Sequence, residues 1–332
     1  MNSSTMNSIL CPAATKGTEH KNRSKISIIG SGSVGTSIAF SLLKIAGEIA
    51  LIDSDEKKVE GEVLDLQQGQ QFTRYCKIIG GSNFQLTTHS DIVVVTATAD
   101  KNEDSKLTVI QKNVDLFKEI IPKIVHHSPD CILFIVTDPV DTMTHVAAKL
   151  SGLPKHRVLG IGTVLDSAVF RFLLGEKFDI CASEVDAYII GENGENSIPL
   201  WRGVDVAGVR LATKNPKIGD SGDPEDYKSV YETVIQSKKE LVRLKGNNSW
   251  SVGLACVSVC DAIINNLYAI HPVSVYMKGV NGVQEDAFLG FPSLINSKGV
   301  SHVIPQPLTT DEDKILKQCI REQVNLMEQL NL

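Results

Sequence analysis

The chain has 332 residues, enough for two packed units or one large α/β domain. Its 42% hydrophobic and 22% charged residues are ordinary for a globular protein. A net charge of −6 argues against general binding to nucleic acid or acidic membranes, and no apolar run reaches the roughly 18 residues of a transmembrane helix. We therefore expect neither a nucleic-acid partner nor a membrane anchor.

The N-terminal segment is polar, rich in serine and asparagine and without clear periodicity, which predicts a flexible arm over residues 1–24. An apolar patch at residues 9–11 is too short for the core of a signal peptide. The seven cysteines are scattered and odd in number, and no histidine pair accompanies Cys256 and Cys260. We expect buried thiols in a reducing compartment, no metal site and a cytoplasmic location.

A βαβ unit follows this segment. An apolar strand at 26–29 runs into a glycine-rich turn, a helical pattern follows, and a second strand at 49–52 ends at an acid. Glycines let the backbone approach a pyrophosphate at the helix N-terminus, and the acid hydrogen-bonds the adenine ribose and repels a 2′-phosphate. The pattern predicts binding of NAD rather than NADP, in a site formed by Gly30, Ser31, Gly32, Ser33, Val34, Gly35 and Asp53.

The next segments predict the rest of a parallel sheet. Continuous apolar runs at 92–95, 132–136 and 158–161 are typical of strands that are buried on both faces. Helical patterns at 108–126 and 140–151 separate these runs. The first half therefore predicts an α/β fold with a Rossmann-type, doubly wound parallel sheet.

The second half has a different pattern. Residues 187–190 predict a strand, 224–245 a long amphipathic helix, 249–268 another helix and 310–330 a final helix. Internal repeats and low-complexity linkers are missing from this part of the sequence. We expect a mixed α+β domain here.

Several longer motifs point to one family. They are GEVLDLQ at 61–67, DPVD at 138–141, GTVLDSA at 162–168 and HPVS at 271–274. With them the chain resembles the L-lactate dehydrogenase family from about residue 24 to its C-terminus. The resemblance implies a NAD-binding Rossmann domain over residues 25–163, a lactate/malate dehydrogenase-type domain over 164–332, and a tetramer of identical or related subunits.

The family moves a hydride between NADH and the carbonyl carbon of a 2-oxo acid, while a histidine oriented by an aspartate transfers the proton. Here Asp166 stands at the aspartate position and Asn193 at the histidine position. A carboxamide cannot exchange protons near neutral pH, whereas imidazole titrates there, and general acid–base catalysis is worth roughly 10²–10⁴ in rate. The chain thus resembles an enzyme family but lacks its proton carrier.

Two positions at which the family has a cationic arginine carry other residues here. Val169 stands where an arginine clamps the substrate carboxylate, and valine offers neither charge nor donor. Arg171 is a poor substitute because its side chain is expected to point elsewhere. Lys106 stands where a second arginine, on a mobile loop, polarises the carbonyl; lysine keeps the charge but lacks the planar fork.

Further changes fall in the substrate pocket. Asp138 replaces an asparagine that contacts substrate or nicotinamide, and Asn248 replaces a threonine near the substrate. Asp138 and Asp166 are expected to share one pocket, which raises one of their pKa values unless Lys106 neutralises them. Two interpretations stay open: solvated relics in an unused pocket, or a new acid–base pair for an uncharged or cationic alcohol.

The resemblance extends the cofactor site beyond the glycine-rich turn. Thr98 replaces a glycine where the backbone passes close to the cofactor, and Asp100 replaces a basic residue near the pyrophosphate. Crowding and charge repulsion at these positions oppose binding. NAD remains the predicted cofactor, bound more weakly than usual, with further contacts from Thr98, Asp100, Asn113, Val136 and Asp138.

Three functions fit this sequence. The first is a NAD-dependent oxidoreductase that is weak toward lactate or acts on a changed substrate. The second is a silent lactate dehydrogenase-like protein that binds NAD or assembles with an active paralogue, and the third is a purely structural protein. Because the folding pattern is intact while polar groups of the active site are lost selectively, we favour the second.

Overall fold

The computed structural model describes residues 24–99 and 105–332. The arm predicted for residues 1–24 falls almost entirely outside the described residues, as does Asp100. No helix in the described ranges is long and apolar enough to cross a membrane.

A large, mostly parallel sheet carries the fold. The first six strands lie in the order β3-β2-β1-β4-β5-β6, all parallel, which confirms the predicted Rossmann-type sheet. The sheet continues through antiparallel neighbours in the order β12-β13-β8-β9, and β14 also pairs with β13. The six parallel strands are β1 Lys25–Ile29, β2 Glu48–Ile52, β3 Lys77–Gly81, β4 Ile92–Val95, β5 Ile132–Ile135 and β6 Val158–Gly160.

The remaining strands belong to the second half, which is the mixed α+β part of the chain. Strands β7, β10 and β11 form a small antiparallel sheet of their own. The bounds are β7 Val185–Asp186, β8 Ile189–Gly191, β9 Ser197–Pro199, β10 Asp205–Val206, β11 Val209–Arg210, β12 Ala269–Tyr276, β13 Phe288–Asn296 and β14 Gly299–Val303.

Helices cover both faces of the large sheet, because the central strands are apolar on both sides. On one face α1 and α8 pack together, and on the other α3 packs against α4. The helices are α1 Ser33–Leu42, α2 Glu56–Gln68, α3 Lys106–His127, α4 Val140–Ser151, α5 Val164–Phe178, α6 Leu211–Lys214, α7 Lys228–Lys245, α8 Ser249–Ile264 and α9 Thr310–Gln329.

Three predictions for the second half were wrong in their bounds. The helix predicted for 224–245 begins only at Lys228, because Asp226 has a left-handed φ of 51° that no α-helix accepts. The helix predicted for 249–268 ends at Ile264, since Asn266 and Tyr268 also have positive φ. Of the strand predicted for 187–190, only Ile189 and Ile190 lie in a strand, β8; residues 187–188 connect β7 to β8, which belong to different sheets.

Helix α7 lies over the carboxyl ends of the sheet strands. Its buried residues Val230 and Val234 pack into a core cluster with Phe170 and Leu174 of α5. The turn before α7 is fixed by Asp223, whose carboxylate accepts hydrogen bonds from four donors, on Asn215, Gly219, Glu225 and Tyr227. This packing determines which residues of α7 face the cavity beside the sheet.

Candidate functional site

The glycine-rich turn lies at the carboxyl ends of β1 and β2. Gly30 donates its amide hydrogen to Ile52 O at 2.8 Å and has a φ of +108°. A Cβ on Gly30 would lie 2.7 Å from Thr96 Oγ1, whereas a Cβ on Gly32 would meet nothing within 4 Å. The N-terminus of α1 therefore faces open space, which fits a pyrophosphate.

Asp53 follows β2 on the same edge of the sheet. Its carboxylate accepts hydrogen bonds from Ser31 N at 2.6 Å, Ser31 Oγ at 2.9 Å and Asp55 N at 3.2 Å. Burial alone would raise the pKa of Asp53, but these hydrogen bonds outweigh burial and lower it. The carboxylate is thus ionised, as ribose binding requires, but a ribose hydroxyl must compete with Ser31.

Asn113 joins two parts of the expected cofactor site. It is only 2% exposed, accepts a hydrogen bond from Ala99 N at 2.8 Å and donates one to Asp138 O at 3.1 Å. Both ends of its amide are therefore used to hold the segment after β4 against the segment after β5. Thr98 is exposed in the first of these segments.

A cavity of about 820 Å³ extends from this edge beneath α7. Its wall includes Val34 and Val136 on the cofactor side. On the substrate side it brings together five of the predicted residues, which are Asp138, Asp166, Val169, Asn193 and Asn248. Lys106 is exposed at the start of α3 and is not part of the cavity wall formed by the described residues. The other wall residues include Thr233, Gln236, Ser237, Lys238, Lys239, Glu240, Leu241, Arg243 and Leu244 of α7.

Asn193 is held from several sides. Its amide nitrogen Nδ2 donates to Gly162 O and, over 3.5 Å, weakly to Asp166 Oδ2. Its Oδ1 accepts a hydrogen bond from Lys238 Nζ at 3.4 Å, and its backbone N–H donates to Asp141 Oδ2 at 2.8 Å. The carboxamide therefore has its donors directed at the protein and its acceptor directed at a lysine.

Lys238 is the functional residue that sequence reasoning missed. Its Nζ lies 3.6 Å from Asp138 Oδ1, so the cation beside this carboxylate comes from α7. Lys106, which was considered for that role from the sequence, is not in the cavity wall formed by the described residues. A signal was present in the sequence, because Lys238 continues the i, i+4 line of the buried residues Val230 and Val234. That spacing places a lysine on the inner face of an amphipathic helix.

Asp138 and Asp166 share the cavity, as predicted. Burial raises the pKa of Asp166 to about 6; the Lys238 ammonium group opposes this rise and the Asp138 carboxylate adds to it. Asp166 is therefore mostly ionised at neutral pH. The result is a group of two carboxyl groups and one ammonium group, which contacts Asp138.

An apolar residue, Val169, occupies the position expected for the arginine that clamps the substrate. Val169 lines the cavity and packs against the cluster that contains Phe170. Arg171 is used elsewhere: its Nε donates to Ala187 O at 2.8 Å, and its guanidinium lies 4.7 Å from the centre of the Tyr188 ring. The cavity thus receives no guanidinium from this helix, α5.

The comparisons with known proteins agree with this geometry. Residues 24–160 match the lactate/malate dehydrogenase NAD-binding domain, and residues 163–331 match the lactate/malate dehydrogenase alpha/beta C-terminal domain. The chain belongs to the lactate/malate dehydrogenase family. Its NAD-binding domain identifies NAD as the cofactor.

Individual relatives are similar along nearly their whole length. The L-lactate dehydrogenase A chain of Rhinogobiops nicholsii is 43% identical over 314 residues, which cover 94% of this chain and 95% of the relative. The L-lactate dehydrogenase B-A chain of Danio rerio is 44% identical over 317 residues, or 95% of each chain. The A chain of Ambystoma mexicanum is 44% identical over 299 residues, or 89% of this chain and 90% of the relative.

A second buried carboxylate lies behind Asn193 in this lactate dehydrogenase-like protein. Asp141 is 5% exposed, and its Oδ1, like Glu192 Oε2, has no hydrogen-bond partner of good geometry. Burial raises the pKa of Asp141 to about 7; the Ser274 hydroxyl and the Asn193 backbone N–H oppose this rise, while Glu192 and Asp166 add to it. Metal binding does not explain this cluster, since no group of three or more potential ligands in the described residues could hold an ion.

We expect Asp141→Asn to change the pH dependence of stability. Because the folded-state pKa of Asp141, about 7, lies above its usual value of 3.8, protonated Asp141 favours folding at low pH, and this stabilisation is lost as pH rises from about 4 to about 7. The histidines His145 and His271 act in the opposite direction, since burial lowers their pKa values to about 4. The wild type and the variant share these histidines, so the difference between their free energies of unfolding isolates Asp141. Urea unfolding at pH 5 and pH 7 should show that the variant gains stability relative to the wild type as pH rises.

Asp65→Asn serves as the control, because Asp65 is exposed on α2. It should keep the wild-type slope. An Asp141→Asn variant whose stability relative to the wild type stays the same, or falls, from pH 5 to pH 7 would contradict this account of the buried carboxyl group.

Proposed function

We propose that this lactate dehydrogenase-like protein binds NAD but is impaired or silent in lactate and pyruvate chemistry. The observation that carries the proposal is the hydrogen bonding of Asn193. A primary amide has two N–H donors, and here Nδ2 is directed at Gly162 O and Asp166. A bound carbonyl would therefore find neither a titratable proton nor a free N–H at this position.

The apolar arginine position supports the same conclusion. A substrate carboxylate beside Val169 is desolvated without gaining a guanidinium partner, and loss of one partner of a buried ion pair costs roughly 3–5 kcal/mol. The two carboxylates of Asp138 and Asp166 in the same cavity add repulsion. Both binding of a 2-oxo acid and its protonation are thus impaired.

Binding of NAD is proposed to be weaker than usual for the family. Ser31 already donates two hydrogen bonds to Asp53, so the ribose must displace or share them. Thr98 adds a side chain next to the expected cofactor path. Neither feature blocks the open space in front of Gly32.

We expect Gly32→Val to abolish binding of NADH without harming the fold. A side chain at Gly32 meets no protein atom within 4 Å, but it enters the space that the pyrophosphate needs. The fluorescence enhancement of NADH on the wild-type protein should be lost in this variant. Gly222→Val is the matched control, because its Cβ also meets nothing within 4 Å and lies in a loop before α7. Equal NADH binding by wild type and Gly32→Val would contradict this placement of the cofactor.

Restoring lactate chemistry should require three changes together. A histidine at position 193 would face the Lys238 ammonium group, which now lies 3.4 Å from Asn193 Oδ1 and would disfavour a protonated imidazole. We expect Asn193→His with Val169→Arg to recover little pyruvate reduction. Adding Lys238→Ala should raise the rate of NADH oxidation by roughly 10²-fold or more over the double variant.

The single variants Asn193→His, Val169→Arg and Lys238→Ala are the controls, measured at saturating NADH. A large gain from Lys238→Ala alone would contradict the proposal, because it would show that the wild-type residues Asn193 and Val169 suffice for catalysis. Equal rates for the double and triple variants would show that Lys238 does not hinder the restored histidine.

We further propose that the protein assembles with copies of itself or with related subunits. The packed helices α1 and α8 expose three large apolar side chains: Phe40 is 68% exposed, Trp250 is 72% and Leu254 is 65%. Such exposure on neighbouring helices supports a contact surface. Native mass measurement of the protein from its source tissue tests this, and a monomer alone would rule it out.

The alternative is NAD-dependent oxidoreduction of a changed substrate. One observation favours it, namely the placement of the Lys238 ammonium group beside Asp138 and Asn193. A cytoplasmic location is proposed for either function. It is supported by six free cysteines among the described residues, five of them buried.

A further inference from the structure

The charges of the cavity wall leave little attraction for an anion. Three cationic side chains line the wall, and each already contacts a carboxylate: Lys238 contacts Asp138, Lys239 contacts Glu195 and Arg243 contacts Glu240. Exposed ion pairs of this kind contribute little to stability, so these side chains can move. In the cavity wall formed by the described residues, each cationic side chain nevertheless has an acidic neighbour.

Polar and charged side chains line one end of the cavity, which we call the polar end. It consists of Asp138, Asp166, Asn193 and Lys238. The polar end combines two carboxyl groups with one ammonium group. A ligand carboxylate placed here is repelled more than it is attracted, whereas an uncharged ligand is not. The apolar neighbour Val169 adds no compensating charge.

Hydrogen-bonding capacity at the polar end is concentrated on Lys238. A lysine ammonium group has three N–H donors, and here it contacts two acceptors, Asp138 Oδ1 at 3.6 Å and Asn193 Oδ1 at 3.4 Å. One donor remains for a ligand. The Asn193 amide nitrogen, by contrast, is directed at Gly162 O and Asp166 Oδ2. Lys238 is therefore the donor at the polar end that is free to bind a ligand oxygen.

We propose that Lys238 is the ligand-binding group of the polar end, and that it selects an uncharged carbonyl or hydroxyl compound over a 2-oxo acid anion. This inference rests on the proposed function, since it assumes that the cavity beside the NAD site receives a ligand. It adds the chemical class of that ligand. The Lys238 ammonium group donates a hydrogen bond to the ligand oxygen, and Asp138 and Asp166 exclude a carboxylate.

The experiment compares two small carbonyl compounds of nearly equal size. Hydroxyacetone carries an uncharged CH₂OH group where pyruvate carries a carboxylate, so charge is the main difference between them. Saturation-transfer NMR titrations on the full chain, with and without NADH, give the affinity for each. We expect hydroxyacetone to bind roughly tenfold or more tightly than pyruvate, since Asp138 and Asp166 repel the carboxylate of pyruvate but not the CH₂OH group of hydroxyacetone.

Lys238→Met tests the role of the ammonium group, because methionine keeps an unbranched side chain of similar length without charge or donor. It should weaken hydroxyacetone binding roughly tenfold. Lys228→Met is the matched control on the same helix, since Lys228 pairs with Glu232 at 3.8 Å and does not appear in the cavity wall formed by the described residues. The control variant should keep wild-type affinity.

A second measurement separates this role from a purely structural one. The Lys238 charge opposes the burial-driven rise in the pKa of Asp166. In Lys238→Met the ¹³C titration of the Asp166 carboxyl group should therefore move to higher pH. Lys228→Met should leave that titration unchanged.

The outcomes are distinct. Tighter binding of hydroxyacetone, lost in Lys238→Met, supports the proposal. Pyruvate binding equal to or tighter than hydroxyacetone, or hydroxyacetone binding that survives Lys238→Met, overturns it. NADH fluorescence measured on the same samples reports separately on the proposed function, so failure of cofactor binding is distinguished from failure of ligand selection.

Discussion

The hydrogen bonds around the carboxamide of Asn193 determine what this cavity can do. Gly162 O and Asp166 receive its N–H groups, and Lys238 donates to its oxygen. A side chain held in this way has a fixed orientation and no proton to exchange at neutral pH. Lys238 also contacts Asp138, so the residues that hold the carboxamide also set the charges of the cavity.

Much of the fold could be predicted because its signals are local. The buried strands of the parallel sheet are continuous apolar runs, and the turn at 30–35 has glycines where the backbone must turn or lie open. The wrong helix bounds near 226 and 266 arise from left-handed backbone conformations at aspartate, asparagine and tyrosine, which composition does not reveal. Such conformations depend on tertiary contacts.

The site was only partly predictable, for a different reason. Positions such as Val169 and Asn193 were found because a family motif surrounds them. Lys238 lies within a run of polar residues on α7; its spacing from Val230 and Val234 is a sequence signal, but the packing of those valines decides that this face of the helix lies toward the cavity. The buried Asp141 was visible as part of a motif, but its unpartnered oxygen and its contact with the Asn193 backbone depend on how β8 meets α4. The orientation of Lys238 and the environment of Asp141 both depend on contacts between residues that are far apart in the sequence.

The most direct test of the account is the rate of pyruvate-dependent NADH oxidation by the purified wild-type chain. It should be measured at saturating NADH, beside an active L-lactate dehydrogenase under the same conditions. Without a general acid at position 193, we expect a rate at least about a thousandfold lower than that of the active enzyme. A rate within tenfold of the active enzyme would contradict the claim that Asn193 and its partners have removed the proton-transfer step.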